Sequence, residues 1–339
     1  MNISTIGIIL AVFFSNCILI VLSKNYFKKK INQIQDIHYG FVPRVGGISL
    51  FLFILLFLLS SNNLHLLIYF FFGFFILFPA FIEDLGYELS PIIRFFSILF
   101  GSFLIIQSIG ILPELNHLAF LNNHFFKILF FTLGVATIIN GQNMIDGVNG
   151  LSIIVGIMIF ICLYKIGIKF DDNYLKSISQ FLIICLFVIF IFNYPFGFLF
   201  LGDLGSYLIG LLASVLVIIT YAKYPELSIW SAFSILFYPF IEVVFSFIRK
   251  IINKNSPFEP DKDHLHILIF QIFLKITNKR QLSNNLVLPF LSMIWIPIIF
   301  LIDYILYSTV LSLLTLICLI LIYLLTYFIS IKFYNLNTK

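Results

Sequence analysis

Apolar runs of nearly twenty residues, rich in Ile, Leu, Phe and Val, follow one another along almost the whole chain, and short polar segments separate them. A helix needs about 20 residues to cross the hydrocarbon core of a bilayer, and it satisfies its backbone N–H and C=O groups internally while doing so. A closed barrel would instead alternate apolar and polar residues over segments of about 10, and this chain shows continuous apolar runs. With 61% hydrophobic residues, 10% charged residues and 44 Phe among 339, there is too little polar surface to clothe a water-soluble core. The expected fold class is an all-α polytopic membrane protein with eleven transmembrane helices. The spans fall at 3–22, 46–60, 66–82, 92–112, 125–139, 150–168, 177–193, 204–221, 229–249, 286–302 and 309–331. With no internal repeat in view, one membrane domain over 1–339 is the economical expectation.

Orientation follows from the basic residues, which concentrate on the cytoplasmic side. The gaps after spans one, three and nine, together with the tail, hold fifteen of the twenty Lys and Arg; Lys127, Lys165, Lys169, Lys176 and Lys223 lie on the other side. The expectation is an outside N-terminus and a cytoplasmic C-terminus. The net charge of +5 reflects this bias and attraction to anionic lipid, and gives no reason to invoke nucleic acid. Cys17, Cys162, Cys185 and Cys318 all lie inside spans without paired spacing, and read as small hydrophobes.

Five polar segments fall in alternate gaps, so all face the cytoplasmic side. The first, Pro43-Arg44-Val45-Gly46-Gly47, joins a turn-fixing proline to a glycine pair that lets backbone approach a neighbour or a phosphate. Arg44 is a candidate anion clamp, and equally a positive-inside arginine at a helix entry. The second holds Glu83 and Asp84, with Ser90, Pro91 and Arg94 beyond. Ser90 and Pro91 suit a helix start, but adjacent carboxylates at the hydrocarbon boundary repel unless a metal or cation compensates them.

The third segment runs Asn140-Gly141-Gln142-Asn143-Met144-Ile145-Asp146-Gly147-Val148-Asn149-Gly150. Carboxamides that donate and accept together suit a nucleobase edge, an acetamido group or phosphate oxygens, although Asn and Gly also form turns. In the fourth, Leu201-Gly202-Asp203-Leu204-Gly205-Ser206, Asp203 is either a helix N-cap or a carboxylate open to phosphate or hydrated Mg²⁺. The fifth stretch, from Lys250 to Asn285, contains Lys262, His264 and His266. Two histidines without nearby Cys do not make a structural zinc site, and with Lys262 they suit phosphate better. Glu242, roughly two turns inside span nine, needs a polar cavity or a partner.

In order and spacing these segments resemble the polyprenyl-phosphate N-acetylhexosamine-1-phosphate transferase family. The matching elements are Pro-Arg-x-Gly-Gly at Pro43 to Gly47, the acid pair followed by Ser-Pro and Arg94, and Asn-x-x-Asn-x-x-Asp-Gly at Asn140 to Gly147. They continue with Phe-Leu-Gly-Asp-x-Gly-Ser at Phe200 to Ser206, Pro239 with Glu242, and Ser-Pro-Phe-x-x-Asp-Lys-x-His-x-His at Ser256 to His266. The last favours the WecA-like branch over the MraY branch.

The resemblance implies a multi-pass enzyme of the bacterial cytoplasmic (inner) membrane, active on its cytoplasmic face. It would transfer an amino-sugar 1-phosphate from a UDP-sugar to polyprenyl phosphate, release UMP and initiate a lipid-linked cell-surface glycan. Mg²⁺, with Mn²⁺ as a substitute, is the implied cofactor; Asp203 is the main ligand and Asp84 a second, with Glu83 beside them near the acceptor phosphate. Asn140, Asn143 and Asp146 would hold the nucleotide-sugar. Arg44, His264 and His266, helped by Arg94, Lys262 and the backbone of Gly46, Gly47 and Gly202, would face the diphosphate. A homodimer is compatible with this reading. The sequence departs from the family pattern at Glu83 (for Asp), Asn149 (for Asp), Phe198 (for a basic residue) and Ile267 (for a third His), which puts the sugar in question more than the reaction. The rival class, a polytopic secondary transporter, would place ionisable groups at the bilayer midplane in matching halves, whereas these acids crowd one face.

Overall fold

The computed structural model describes residues 5–26, 42–61, 63–115, 123–254, 256 and 263–336. Among them there is no strand, and the order of elements is α1 (Thr5–Tyr26), α2 (Gly46–Ser60), α3 (Leu64–Asp84), α4 (Pro91–Ile109), α5 (His124–Met144), α6 (Leu151–Lys169) and α7 (Asn173–Asn193). There follow α8 (Gly202–Lys223), α9 (Ile229–Ile235), α10 (Phe237–Ile252), α11 (Leu265–Thr277), α12 (Arg280–Trp295), α13 (Pro297–Ile305) and α14 (Thr309–Leu336).

Every expected apolar run is helical, and the runs differ in how far they can reach across a bilayer. Among the described residues, nine helical stretches are long and apolar enough to cross, and a tenth if the bent pair α9 and α10 makes one span. α2 has 15 residues, about 22 Å of helix, which is short of a full crossing. The ninth expected span is broken: α9 and α10 meet at an angle of 83°. The tenth begins earlier than expected, at Arg280, and runs through α12 and α13 to Ile305. α11 lies inside what the sequence presents as one long polar stretch, where its 13 residues are too few to span.

α8 is the axis of the bundle. From Leu204 to Ile218 every residue is buried, whereas α1 presents most of its surface outward. The hydroxyls of Ser214 and Thr220 bond back to carbonyls four residues earlier on α8, so they enter this apolar setting already satisfied. α2, α3 and α5 all pack on α8, and α10 packs on α5. The helices that carry the first three polar segments therefore meet the helix that opens with the fourth, and Glu242 arrives on a neighbour of the third.

At the other end of the bundle the minority lysines are matched by acids. Lys127 pairs with Glu114 at 2.9 Å, Lys165 with Asp303 at 2.6 Å, Lys176 with Asp171 at 2.8 Å and Lys223 with Asp172 at 2.7 Å. Lys169 lies 4.4 Å over the Tyr307 ring. That end is close to charge-neutral, which leaves the positive excess on the side of the five segments.

Candidate active site

The site is organised by the first turn of α8. Its opening residue, Gly202, has φ of +79°, a left-handed conformation that costs L-residues a steric clash. A β-carbon at this position would also lie 2.6 Å from Asp84 Oδ2. Into that opening comes Asp84, the last residue of α3 and 4% exposed. Its Oδ1 accepts from Asp203 N at 2.9 Å and its Oδ2 from Leu204 N at 2.8 Å. The carboxylate of one helix thus caps another, where orphan amides and the helix dipole both favour a negative charge. Asp203 is not the N-cap; its carboxylate is turned instead toward Arg44, with Nη1 to Oδ1 at 3.9 Å.

Arg44 is delivered by a short backbone pairing of the first and fourth segments. Phe200 N donates to Pro43 O at 2.9 Å, Gly46 N to Phe200 O at 3.0 Å and Gly47 N to Leu201 O at 2.8 Å. Both glycine amides are therefore engaged by protein carbonyls, and the pair forms a junction between α2 and α8. Of the two readings open for Gly46 and Gly47, a close neighbour or a phosphate, their amides take the neighbour.

α5 runs past its expected end at 139 to Met144, so Asn140 and Asn143 lie on its last turns. Asn140 Nδ2 donates to Ala136 O at 2.8 Å, and Asn143 Oδ1 accepts from Ser206 Oγ at 2.8 Å, tying the third segment to the helix of Asp203. Asp146 follows in the turn, half-buried. Burial pushes its carboxyl well above the usual carboxylate range; Arg44 opposes that effect, and Asp203 and Asp84 reinforce it. Glu83 is paired at 3.2 Å with Arg94 at the start of α4, so the cation that compensates the acid pair comes from eleven residues further on.

The fifth segment closes the site. His264, just before α11, has Nδ1 3.2 Å from Oε2 of Glu242 on α10. His266 stacks beside it, ring centroids 5.7 Å apart, and its Nε2 faces Gly147 of the third segment, 3.2 Å from where a β-carbon would stand. Burial pushes the His266 imidazole down to about 4, so near neutrality it lacks the charge expected of a diphosphate partner. Lys262 and residues 257–261 lie outside the described residues.

The departures from the family pattern occupy different surroundings. Asn149 is 2% exposed: its N–H donates to Asn284 Oδ1 at 3.0 Å, and its Nδ2 reaches Asn285 Oδ1 at 3.3 Å and Pro195 O at 3.4 Å. Next to it, Gly150 N donates to the Asn193 side chain, which itself donates to Leu199 O at 2.9 Å. This carboxamide knot ties the third segment to the turn before the fourth and to α12. Sequence reading missed it; the signal was Asn193, Asn284 and Asn285 standing beside apolar runs. Ile267 is also buried, while Phe198 is exposed and stacked on Phe196, with centroids 5.3 Å apart.

Replacing Asn149 with Asp sets a carboxylate against the Pro195 carbonyl, and the loss of a buried donor costs about 1–3 kcal/mol. Asn149→Asp is expected to lower the melting temperature in detergent without changing donor preference. A changed preference at unchanged melting temperature would return Asn149 to the substrate.

Among the described residues, no three His, Cys, Asp or Glu side chains converge as a metal cage. Two carboxylates offering hard oxygen donors beside helix amides do fit Mg²⁺, which keeps most of its water and takes one or two carboxylates plus substrate phosphates. Asp203 has a carboxylate not engaged by backbone, and Asp84 stands behind it.

Residues 66–221, which include the acid pair, the third segment and Asp203, match the family described as Glycosyl transferase family 4. A probable undecaprenyl-phosphate N-acetylglucosaminyl 1-phosphate transferase of Bacillus subtilis is 26% identical over 239 residues, 68% of this chain and 66% of that one. An undecaprenyl-phosphate alpha-N-acetylglucosaminyl 1-phosphate transferase of Thermotoga maritima is 27% identical over 261 residues, 76% of this chain and 78% of its own. The protein of the same description from Haemophilus influenzae is 30% identical over 290 residues, 78% of this chain and 77% of its own. Likeness of that extent, running through the segments that the fold draws together around α8, makes this chain a member of the polyprenyl-phosphate N-acetylhexosamine-1-phosphate transferase family.

Proposed function

We propose that the protein transfers an N-acetylated amino-sugar 1-phosphate, GlcNAc 1-phosphate first among them, from its UDP-sugar to polyprenyl phosphate on the cytoplasmic face of a bacterial inner membrane, releasing UMP. One observation carries the reading: Asp84, Asp203, Arg44, Asn143 and Asp146 are drawn from four polar segments to the opening of a single buried membrane helix. A lipid phosphate and a water-soluble dianion can meet only at such a boundary.

In the reaction an oxygen of the lipid phosphate attacks the β-phosphorus of the UDP-sugar, the bond to the bridging oxygen breaks, and UMP leaves with the electron pair. With a second phosphate pKa of about 6, the acceptor is largely ionised near neutrality and needs little help from a base. Repulsion between the anions is the larger barrier, and fixed cations address it. Arg44, swung a short way from Asp203, meets the diphosphate. Asp84 locks the α8 turn so that Asp203 keeps its direction, and Asp146 meets the nucleotide-sugar along with Asn143. Asp203, with Asp84 behind it, would hold Mg²⁺, which would supply charge neutralisation at the diphosphate.

The test uses purified protein in detergent with undecaprenyl phosphate, UDP-GlcNAc and Mg²⁺. UMP release and a lipid-diphosphate product are expected, and both should stop on chelation and return with added Mg²⁺. A transporter would release no UMP in the absence of a sealed compartment, and turnover insensitive to chelation would remove the metal assignment.

A further inference from the structure

Glu242 is the most deeply placed carboxylate that the proposed reaction does not use. It is 1% exposed, one turn past the 83° bend between α9 and α10, and its Oε2 meets His264 Nδ1 at 3.2 Å. The hydroxyls of Tyr238, one turn earlier, and Tyr323 on α14 lie against the same carboxylate. Stability does not explain such a group, because a buried ion pair seldom outweighs its desolvation and apolar side chains of similar volume often serve as well. An intramembrane carboxylate is better explained by what it does to its histidine partner.

The partner is unusually well fixed. Arg249, also on α10, donates to Asp263 O at 2.5 Å and to Tyr327 OH on α14 at 2.8 Å, which anchors the backbone immediately before His264. With Nδ1 facing Glu242, geometry turns the opposite ring nitrogen of His264, Nε2, away from the carboxylate. His266, in contrast, is 1% exposed, with Nε2 against Gly147 and Nδ1 without a hydrogen-bond partner among the described residues. The two histidines thus differ in kind: one is backed by a carboxylate, and the other is packed as a neutral ring against the third segment.

We infer that Glu242 is a positioning residue, which fixes the Nδ1–H form of His264, supplies the counter-charge to its imidazolium and so presents Nε2–H to the diphosphate, while His266 serves as a packing support for the third segment. The inference rests on the transferase reading proposed above. A second carboxylate or carbonyl behind an imidazole sets which ring nitrogen carries the proton and how the ring is aimed, and loss of such a partner typically costs about 10–100-fold in function.

Two measurements on the full-length protein test it. The first needs no substrate: in protein labelled with ¹⁵N-histidine, the His264 ring signals are identified by their disappearance in His264→Asn. The wild type is expected to carry a proton on Nδ1, and Glu242→Ala is expected to change the ring signals of His264. Unaltered signals would overturn the pair whether or not the protein turns over UDP-GlcNAc, and an altered pattern in a protein that releases no UMP would leave the fault with the transferase reading. The second is kinetic. Glu242→Gln should lower kcat about 10–100-fold with little change in KM for UDP-GlcNAc. In the His264→Asn background it should have almost no further effect, because both substitutions remove the same interaction. Glu242→Asp should restore part of kcat. Independent, multiplying losses, or a fall in melting temperature that accounts for the lost activity, would make Glu242 structural and overturn the assignment.

Discussion

Asp203→Asn should leave the protein folded and lower UMP release by about a thousandfold, the scale at which removal of one fixed charge-stabilising group is felt in a dry site. The two parts of this expectation have separate causes. The fold around Asp203 is held through its backbone: the amide is bound by Asp84, and the carbonyl accepts from Ser206 Oγ at 3.1 Å. Neither bond involves the side chain. The carboxylate is paired with Arg44 at 3.9 Å, both side chains part-exposed, and a pair this wet adds little to stability. An isosteric amide therefore changes the charge offered to Mg²⁺ and to Arg44 and little else. The measurement is UMP release at saturating UDP-GlcNAc beside the melting temperature in detergent. Near-wild-type turnover would remove Asp203 from the centre of the site. Asp84→Asn makes a useful contrast, since an amide cannot accept with both atoms and the cap on α8 would be lost together with the activity.

Much of this was legible in the sequence, for physical reasons that differ from residue to residue. A run of Ile, Leu and Phe as long as the bilayer is thick has one common solution, so the helices were accessible at once. The bend between α9 and α10 was hidden because apolar residues continue through it without interruption. Pro239, at the third residue of α10, was the available sign, since proline favours a first helical turn. It is an ambiguous sign here: Pro79 and Pro289 lie inside unbroken α3 and α12. The acids announced themselves, because carboxylates at a hydrocarbon boundary demand compensation. Which partner each would take was not legible. Asp84 answers to amides 119 and 120 residues away, and Asn149 to a side chain 135 away, and only the packing of α3 on α8 and of the turn after α5 on α12 brings them together.

Gly47→Ala separates the two readings of the first segment, a phosphate cradle and a helix junction, most sharply. If the glycine pair cradled phosphate, a methyl group would raise KM and leave the fold alone. The structure predicts the reverse. A β-carbon at Gly47 would lie 2.8 Å from Gly205 Cα, 3.0 Å from Leu201 O and closer still to Gly205 N, and all three are backbone atoms that cannot rotate aside. α2 would have to move off α8, straining the bonds from Gly46 N to Phe200 O and from Gly47 N to Leu201 O. Overpacking of this kind costs about 1–3 kcal/mol, and two weakened hydrogen bonds add roughly 1 kcal/mol each. The expected result is a large fall in melting temperature and loss of UMP release in step with it, because the same displacement carries Arg44 away from Asp203. Gly205→Ala, approaching the same junction from α8, should behave alike, since its β-carbon would lie 2.9 Å from Gly47 Cα. A Gly47→Ala protein that melts like the wild type but binds UDP-GlcNAc weakly would restore the phosphate cradle and loosen the junction between the first and fourth segments.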